Sequence, residues 1–127
     1  MEKILIIDDS ALSRRVIRGI LESTGYTVIE ASDGIAGIEQ YFLEKPDLVF
    51  LDMNMEGMHG VEVLKKLRVL DKNARVVVAT ADIQTATRDE VLAEGASCFI
   101  NKPFSAEHVI DSVKRILSGD VERRRGL

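Results

Sequence analysis

Three aspartates and one lysine lie next to short apolar runs of this sequence. Asp8 and Asp9 follow one run, Asp52 closes another, and Lys102 comes just after a third. If these runs form neighbouring strands, the three carboxylates meet at one edge and repel one another, and a bound hard cation offsets that repulsion. Mg²⁺ suits such a site because it commonly keeps several waters and takes one or two carboxylates together with phosphate oxygens.

A carboxylate in such a place can also act as a nucleophile. It can attack phosphorus and form an aspartyl phosphate, provided that the negative charge on the phosphoryl oxygens is offset. Lys102 brings a positive charge with hydrogen-bond donors, and the hydroxyl of Thr80 can donate to a phosphoryl oxygen. These residue types therefore indicate phosphoryl transfer onto an aspartate.

Five short runs rich in branched residues are predicted as strands, because each is too short for a helix. Several are continuously apolar rather than alternating, which is typical of parallel strands buried on both faces. The predicted strands are Lys3–Asp8, Thr27–Ala31, Leu48–Asp52, Arg75–Thr80 and Cys98–Asn101.

Helical spacing of apolar residues fills the intervals between these strands. Ser10 is a candidate N-cap for the first helix, Gly25 ends it, and the second helix ends before Pro46. The apolar positions of the first three helices are Leu12, Val16, Ile17, Ile20 and Leu21; Ile35, Ile38 and Phe42; and Val61, Leu64 and Leu67. The fourth helix is Thr87–Glu94, and the fifth begins near Ser105 with Val109, Val113, Ile116 and Leu117 on one stripe.

Strand and helix thus alternate five times with short connections, which predicts one doubly wound α/β sheet with helices on both faces. In such sheets, ligands bind beyond the carboxyl ends of the strands. The residues discussed above occupy these ends.

The motifs at the strand ends resemble the receiver domains of two-component response regulators. The resemblance covers roughly residues 1–118 and rests on Asp8-Asp9, the lone Asp52, Thr80-Ala81 and Lys102-Pro103-Phe104, in that order. It implies a flavodoxin-like domain of the stand-alone CheY-like type, with five parallel strands in the order 2-1-3-4-5. Residues 119–127 are then a short polar and basic tail.

The resemblance also implies roles for the acidic residues. Asp52 accepts a phosphoryl group from the phosphohistidine of a histidine kinase or phosphotransfer protein. Asp9, Asp52 and the backbone carbonyl of Asn54 hold Mg²⁺, for which Mn²⁺ can substitute, and Asp8 assists through water. A domain of this kind promotes its own phosphorylation and dephosphorylation and is not a general turnover enzyme.

The remaining implied roles concern the phosphoryl group and the output signal. Lys102 pairs with the phosphoryl group, and the Lys102-Pro103 bond is cis in most of the family. Thr80 moves toward the phosphoryl group, and Phe99 occupies the aromatic switch position. Their rearrangement reshapes the face made by helix four, strand five and helix five, where a downstream protein target binds without a covalent link. A dedicated phosphatase is a further expected partner. Residues 80–84 are similar to chemotaxis-associated regulators.

One position departs from the family pattern. Glu56, followed by Gly57, occupies the place four residues after the phosphorylated Asp where Pro is usual. We hypothesise a more flexible loop and an altered metal affinity, which magnesium titration of Glu56→Pro against the parent protein would test.

Other functions remain open at the level of sequence. Dehalogenase-like phosphatases also use an Asp nucleophile, but Asn54 replaces their second Asp. A flavin carrier needs a hydroxyl-rich phosphate loop where this chain has an acidic pair that would repel phosphate. A pseudo-receiver scaffold is another alternative, and Asp8, Asp9 and Ser10 could simply cap the first helix.

The composition excludes several further classes of protein. The 127 residues fit one domain, and the net charge of −4 gives no basic surface for nucleic acid outside the run Arg123-Arg124-Arg125. Cys98 is the sole cysteine and is read as a buried thiol, with no disulfide and no zinc cluster. The absence of a signal-peptide pattern or a long apolar run predicts no membrane association and a cytoplasmic location.

Overall fold

The computed structural model describes residues 2–55, 57–81, 85–103 and 105–119. Strands and helices alternate along the chain, as the apolar patterns predict. The strands are β1 (Lys3–Ile7), β2 (Thr27–Ala31), β3 (Leu48–Asp52), β4 (Val76–Thr80) and β5 (Cys98–Asn101). The helices are α1 (Ala11–Ser23), α2 (Gly34–Glu44), α3 (Gly60–Leu70), α4 (Thr85–Ala93) and α5 (Ala106–Leu117).

The five strands form one parallel sheet in the order β2-β1-β3-β4-β5. The predicted flavodoxin-like topology is therefore confirmed. Ile7 pairs in register with Leu51, and Asp52 with Ala79, so the carboxyl ends of β1, β3 and β4 lie side by side. This register brings the residues that follow these strands to one edge.

The sheet separates two apolar cores. In β1, Leu5 and Ile7 belong to the core under α2, α3 and α4, whereas Ile4 and Ile6 belong to the core under α1 and α5. Both faces are covered by helices, which explains why the strands are continuously apolar. Cys98 is buried in the second core, as predicted.

Three elements have boundaries that differ from the prediction. β1 ends at Ile7 because the Asp8 carboxylate accepts a hydrogen bond from the Ser10 N–H at 2.9 Å and turns the chain toward α1. β4 begins at Val76 rather than at residue 75, because a run of apolar residues does not show whether the polar residue before it still pairs in the sheet. α4 spans Thr85–Ala93 rather than residues 87–94, since the apolar pair at 91 and 92 marks only its last turn.

Four residues predicted on the apolar sides of helices are exposed instead. Leu12 lies five residues from the buried Ile17, and Phe42 lies five residues from the buried Gly37, which is about 140° around a helix in each case. Val16 and Ile35 are exposed as well. Helical spacing thus identified α1 and α2 correctly but overestimated the width of their buried stripes. In the part of the chain described here, no helix combines the length and the apolar character needed to cross a membrane.

Candidate functional site

Three carboxylates converge at the carboxyl edge of the sheet. Asp8 follows β1, Asp52 ends β3, and Asp9 is the next residue after Asp8. Each offers an oxygen, and these oxygens all lie within 4.8 Å of one another. Asp8 is 1% exposed and Asp52 is 4% exposed, whereas Asp9 is open to solvent. The cluster predicted from the strand ends is therefore present, with its exposed member at the entrance.

This donor set fits a small divalent cation. Oxygen ligands are those that Mg²⁺ prefers, and buried charges of the same sign at short range need a compensating positive charge. Asp8 Oδ2 is buried and has no hydrogen-bond donor among the residues that the structure describes. A buried carboxylate oxygen without a donor is costly unless a cation approaches it.

Lys102 provides a positive charge that belongs to the chain itself. Its Nζ donates to Asp52 Oδ1 at 3.0 Å and lies 4.0 Å from Asp8 Oδ2. The Lys102 backbone N–H donates to the carbonyl of Thr80 at 2.7 Å, and the following peptide bond to Pro103 is cis. The ammonium group is thus held against the carboxylates from the end of β5.

The groups around Asp52 shift its pKa in opposite directions. Burial raises the pKa of this carboxyl, a hydrogen bond from Lys102 lowers it, and the charge of Asp8 raises it again. The backbone N–H of Asn54 donates to Asp52 Oδ1 at 3.3 Å and favours the ionised form. The net direction is a pKa above the ordinary value, which means that Asp52 depends on nearby positive charge to remain ionised.

Thr80 and Asn54 meet beside Asp52. Thr80 is buried at the end of β4, and the side-chain amide of Asn54 donates to its Oγ1 at 3.1 Å. The sequence pointed to Asn54 for its backbone carbonyl and for its replacement of a second Asp, but not for this hydrogen bond. An amide two residues after an acidic strand end was a usable signal, because it can donate where a second Asp could only accept.

Phe99 lies deeper, on β5. It is 8% exposed and belongs to the core under α4. Asn101, two residues farther along the same strand, pairs in register with Thr80. Phe99 is therefore close to the site in the sheet, but it is part of the core.

Two further residues support the site and were missed by sequence reasoning. Arg14 on α1 donates from Nη1 to the carbonyl of Asp8 at 2.7 Å and pairs with Glu30 on β2 at 3.0 Å. Gly60 begins α3 where a Cβ would lie 2.7 Å from Met53 Cα and 2.9 Å from the Asp52 carbonyl oxygen. The absence of a side chain thus allows α3 to begin directly against the end of β3. A glycine at the start of a helix was the only sequence signal for this contact.

The capping alternative for residues 8–10 is correct for one residue. Ser10 is the N-cap of α1, and its Oγ accepts from the Ser13 N–H at 3.2 Å. Capping and a carboxylate cluster therefore occur together in this segment. Glu56, Asp82–Gln84, Phe104 and residues 120–127, which entered the sequence predictions, lie outside the described residues.

Comparison with known proteins identifies the arrangement. The sequence-family model of the response regulator receiver domain matches residues 4–114 of this chain. The chain belongs to this family. It is a CheY-like receiver domain of two-component signalling. Sporulation initiation phosphotransferase F of Bacillus subtilis is 37% identical to it over 116 residues, which cover 91% of this chain and 94% of that protein. Chemotaxis protein CheY of Bacillus subtilis is 36% identical over 117 residues, which cover 91% of this chain and 98% of the relative.

Solved receiver structures have the same fold. The chemotaxis protein CheY4 of Vibrio cholerae superimposes with a TM-score of 0.87 at 29% identity, covering 91% of this chain and 98% of that chain. The CheY of Borrelia burgdorferi, solved with CheX, BeF3 and Mg²⁺, gives a TM-score of 0.87 at 31% identity and covers 91% and 88% of the two chains.

Proposed function

We propose that Asp52 of this receiver domain accepts a phosphoryl group from the phosphohistidine of a histidine kinase or phosphotransfer protein, in a reaction that depends on Mg²⁺ or Mn²⁺. The observation that carries the proposal is the contact of Asp52 Oδ1 with Lys102 Nζ at 3.0 Å inside the three-carboxylate cluster. A buried nucleophile beside a fixed cation is the arrangement that attack on phosphorus requires.

The transfer exchanges one bond to phosphorus for another. A carboxylate oxygen of Asp52 forms the new P–O bond while the P–N bond to the donor imidazole breaks, and the imidazole leaves with the electron pair and takes a proton. Lys102 Nζ stabilises the negative charge on the phosphoryl oxygens, and Thr80 Oγ1 can donate to one of them.

The metal ligands in this proposal are Asp9, Asp52 and the backbone carbonyl of Asn54, with Asp8 acting through water. When bound, the ion offsets the negative charge that accumulates on the transferred group. Arg14 donates a hydrogen bond to the backbone carbonyl of Asp8 and thereby fixes the segment that carries Asp8 and Asp9.

We place the donor's docking surface on the first half of α1. Leu12 and Val16 are exposed there, and Leu12 is only three residues from Asp9. A donor protein must bring its histidine to the carboxylate edge, and exposed apolar side chains beside a site are typical of protein contacts. Leu12 and Val16 were predicted to be buried, and their exposure supports a role in docking the donor.

The output is proposed to pass through Thr80 and Phe99 to the face formed by α4, β5 and α5, where a downstream target binds. Thr80 pairs with Asn101 in the β4–β5 register, so a movement of Thr80 would be felt along β5. Relatives named chemotaxis proteins support a role in chemotaxis, and a dedicated phosphatase could end the signal. We assign this role to residues 1–118 as one unit, followed by the tail at 119–127.

A pseudo-receiver scaffold is the alternative. A turnover phosphatase is disfavoured because the Asn54 amide donates to Thr80, where such an enzyme would need an acid. The intact cluster and the Lys102 contact favour the phosphorylated receiver over the scaffold, which would not need them.

The deciding experiment is incubation with Mg²⁺ and a small phosphodonor, followed by intact-protein mass spectrometry. We expect a phosphoryl increment that Asp52→Asn abolishes and that Asp111→Asn, on the exposed surface of α5, leaves unchanged. A folded parent protein without the increment would favour the scaffold. Pull-down with both phosphorylation states would then identify the output partner.

A further inference from the structure

Large apolar side chains are exposed at the carboxyl ends of α2 and α3. The exposed fractions are 60% for Phe42, 73% for Leu43, 85% for Val69 and 46% for Leu70. Isolated exposed apolar residues are ordinary on protein surfaces, but a contiguous group of them marks an interaction site. These four side chains therefore indicate an interaction site only if they form one contiguous surface.

These residues line one continuous depression. Leu70 borders three adjoining hollows, Phe42 borders two of them, and Ile38 also borders two. We call this depression the α2–α3 groove. It is formed by Ile38, Phe42 and Leu43 on α2 and by Lys66, Val69 and Leu70 on α3.

The groove is preformed and lies at the sheet edge opposite Asp52. Its residues belong to the carboxyl ends of α2 and α3, which lead into the first residues of β3 and β4, whereas Asp52 ends β3. At one end of the groove, the Tyr41 hydroxyl donates to Asp71 Oδ2 at 2.7 Å and links the two helices. A partner in the groove would not obstruct the carboxylate edge.

The rim of the groove is locally basic in a protein of net charge −4. Lys45 and Lys66 border it, and their ammonium groups have no hydrogen bond or ion pair within the described part of the chain. The Asp71 carboxylate, by contrast, is already occupied by Tyr41 and by the Asn73 N–H. Glu39 is the remaining rim carboxylate without such a partner among described residues.

We propose that the α2–α3 groove binds an amphipathic helix of a partner protein, with apolar residues in the groove and acidic residues facing Lys45 and Lys66. An apolar channel between two helices is the usual receptor for such a helix, and complementary charge sets its orientation and partner choice. A second copy of this chain would offer the two rim lysines a single rim carboxylate without a partner among the described residues, Glu39. The groove therefore offers a binding site separate from phosphoryl transfer.

The test uses two synthetic helical peptides of about five turns with the same Leu stripe, one flanked by Glu and the other by Lys. Fluorescence anisotropy would measure their affinity for the full chain. We expect the Glu-flanked peptide to bind at least about tenfold more tightly. Phe42→Ala with Val69→Ala should weaken it by about tenfold or more, and Lys45→Glu with Lys66→Glu should reverse the preference.

The matched control is Ile35→Ala, which removes an exposed apolar side chain from the first turn of α2, outside the groove, and should leave peptide affinity unchanged. Equal affinity for both peptides, or affinity insensitive to the groove variants, would overturn the proposal. Self-association of the parent that the groove variants abolish would assign the groove to a second copy, and binding to anionic phospholipid vesicles instead of the peptide would assign it to a membrane surface. Phosphorylation by a small phosphodonor should be the same in parent and groove variants, so this test is independent of the proposed phosphoryl transfer.

Discussion

At the scale of single residues, the contact between Lys102 and Asp52 is the clearest target. Replacing Lys102 with Ala removes the donor at 3.0 Å from Asp52 Oδ1 and leaves the buried carboxylate without its ammonium partner. We expect phosphoryl incorporation from a small phosphodonor at saturating Mg²⁺ to slow by about 10²–10³-fold, the range for loss of one stabilising donor. Lys114→Ala, an exposed lysine on α5, is the control, and an unchanged rate in Lys102→Ala would contradict the assigned role.

Asp8 is predicted to lower the stability of the protein without a cation and to increase its affinity for Mg²⁺. It is buried, and its charge raises the pKa of Asp52, so Asp8→Asn relieves repulsion between like charges. We expect the free energy of unfolding in urea to increase without Mg²⁺, while calorimetric titration shows Mg²⁺ affinity reduced by about 10–100-fold. Asp111→Asn should change neither quantity. A variant with reduced stability and unchanged affinity would argue against a cation at this cluster.

At the scale of elements, two glycines in helices should respond in opposite directions to Ala. A Cβ on Gly37 would lie 2.5 Å from Ile7 Cδ1, so α2 could not stay as close to β1. A Cβ on Gly19 in α1 meets nothing within 4 Å. We expect Gly37→Ala to destabilise by about 1–3 kcal/mol and Gly19→Ala to stabilise by about 0.5–1 kcal/mol in urea unfolding.

A second substitution tests the cause of the Gly37 effect. Ile7→Val removes the Cδ1 atom nearest to the new methyl group, so it should recover part of the stability lost in Gly37→Ala. The same change should not alter the effect of Gly19→Ala. Losses that simply add for positions 7 and 37 would exclude the proposed clash.

The link between α2 and α3 should make stability depend on pH. Hydrogen bonds from Tyr41 and from the Asn73 N–H lower the pKa of Asp71, whereas burial and the hydrogen bond to Asp71 raise the pKa of Tyr41. The Asp71 contribution is therefore present above its unfolded pKa of about 3.9 and is lost as pH falls through the lower folded value. The Tyr41 contribution is present below about pH 10 and is lost as pH rises through the higher folded value.

Tyr41→Phe removes this link while keeping the ring. At about pH 7 we expect a loss of about 1 kcal/mol or less, because the Asp71 carboxylate is partly exposed. The difference from the parent should shrink in urea unfolding as pH falls below about 4. Tyr26→Phe, whose pKa is raised by burial first and then by the charge of Glu2, is the control and should not alter the acid limb. A difference that persists at low pH would rule out the ionised Asp71 as its cause.

At the scale of the whole molecule, the sheet separates two cores that should respond independently. Ile7 packs in the core under α2, α3 and α4, and Ile116 on α5 packs in the other core. Each Ile→Val change should cost about 0.5–1.5 kcal/mol, and the double variant should lose the sum within about 0.5 kcal/mol. Urea unfolding of the two single variants and the double variant provides the measurement. A coupling larger than this would show that strain passes through the sheet.

The sequence alone determined the alternation of strands and helices and which polar residues lie at the strand ends. Continuous apolar runs such as Val76–Ala79 are typical of strands in a doubly covered parallel sheet, and parallel strands place their carboxyl ends at one edge. Asp8, Asp9, Asp52, Thr80 and Lys102 could therefore be named without coordinates. Their identification depended on order and position along the chain, which a sequence contains in full.

Only the tertiary structure decided which apolar residues are covered and which polar atoms meet. Helical spacing is the same for Ile17 and for Leu12, but only contact with the sheet distinguishes the buried residue from the exposed one. The hydrogen bond of Asn54 to Thr80 and the close approach at Gly60 join residues from different elements. Such contacts depend on distances between elements that are remote along the chain, and local patterns of residue types do not contain those distances.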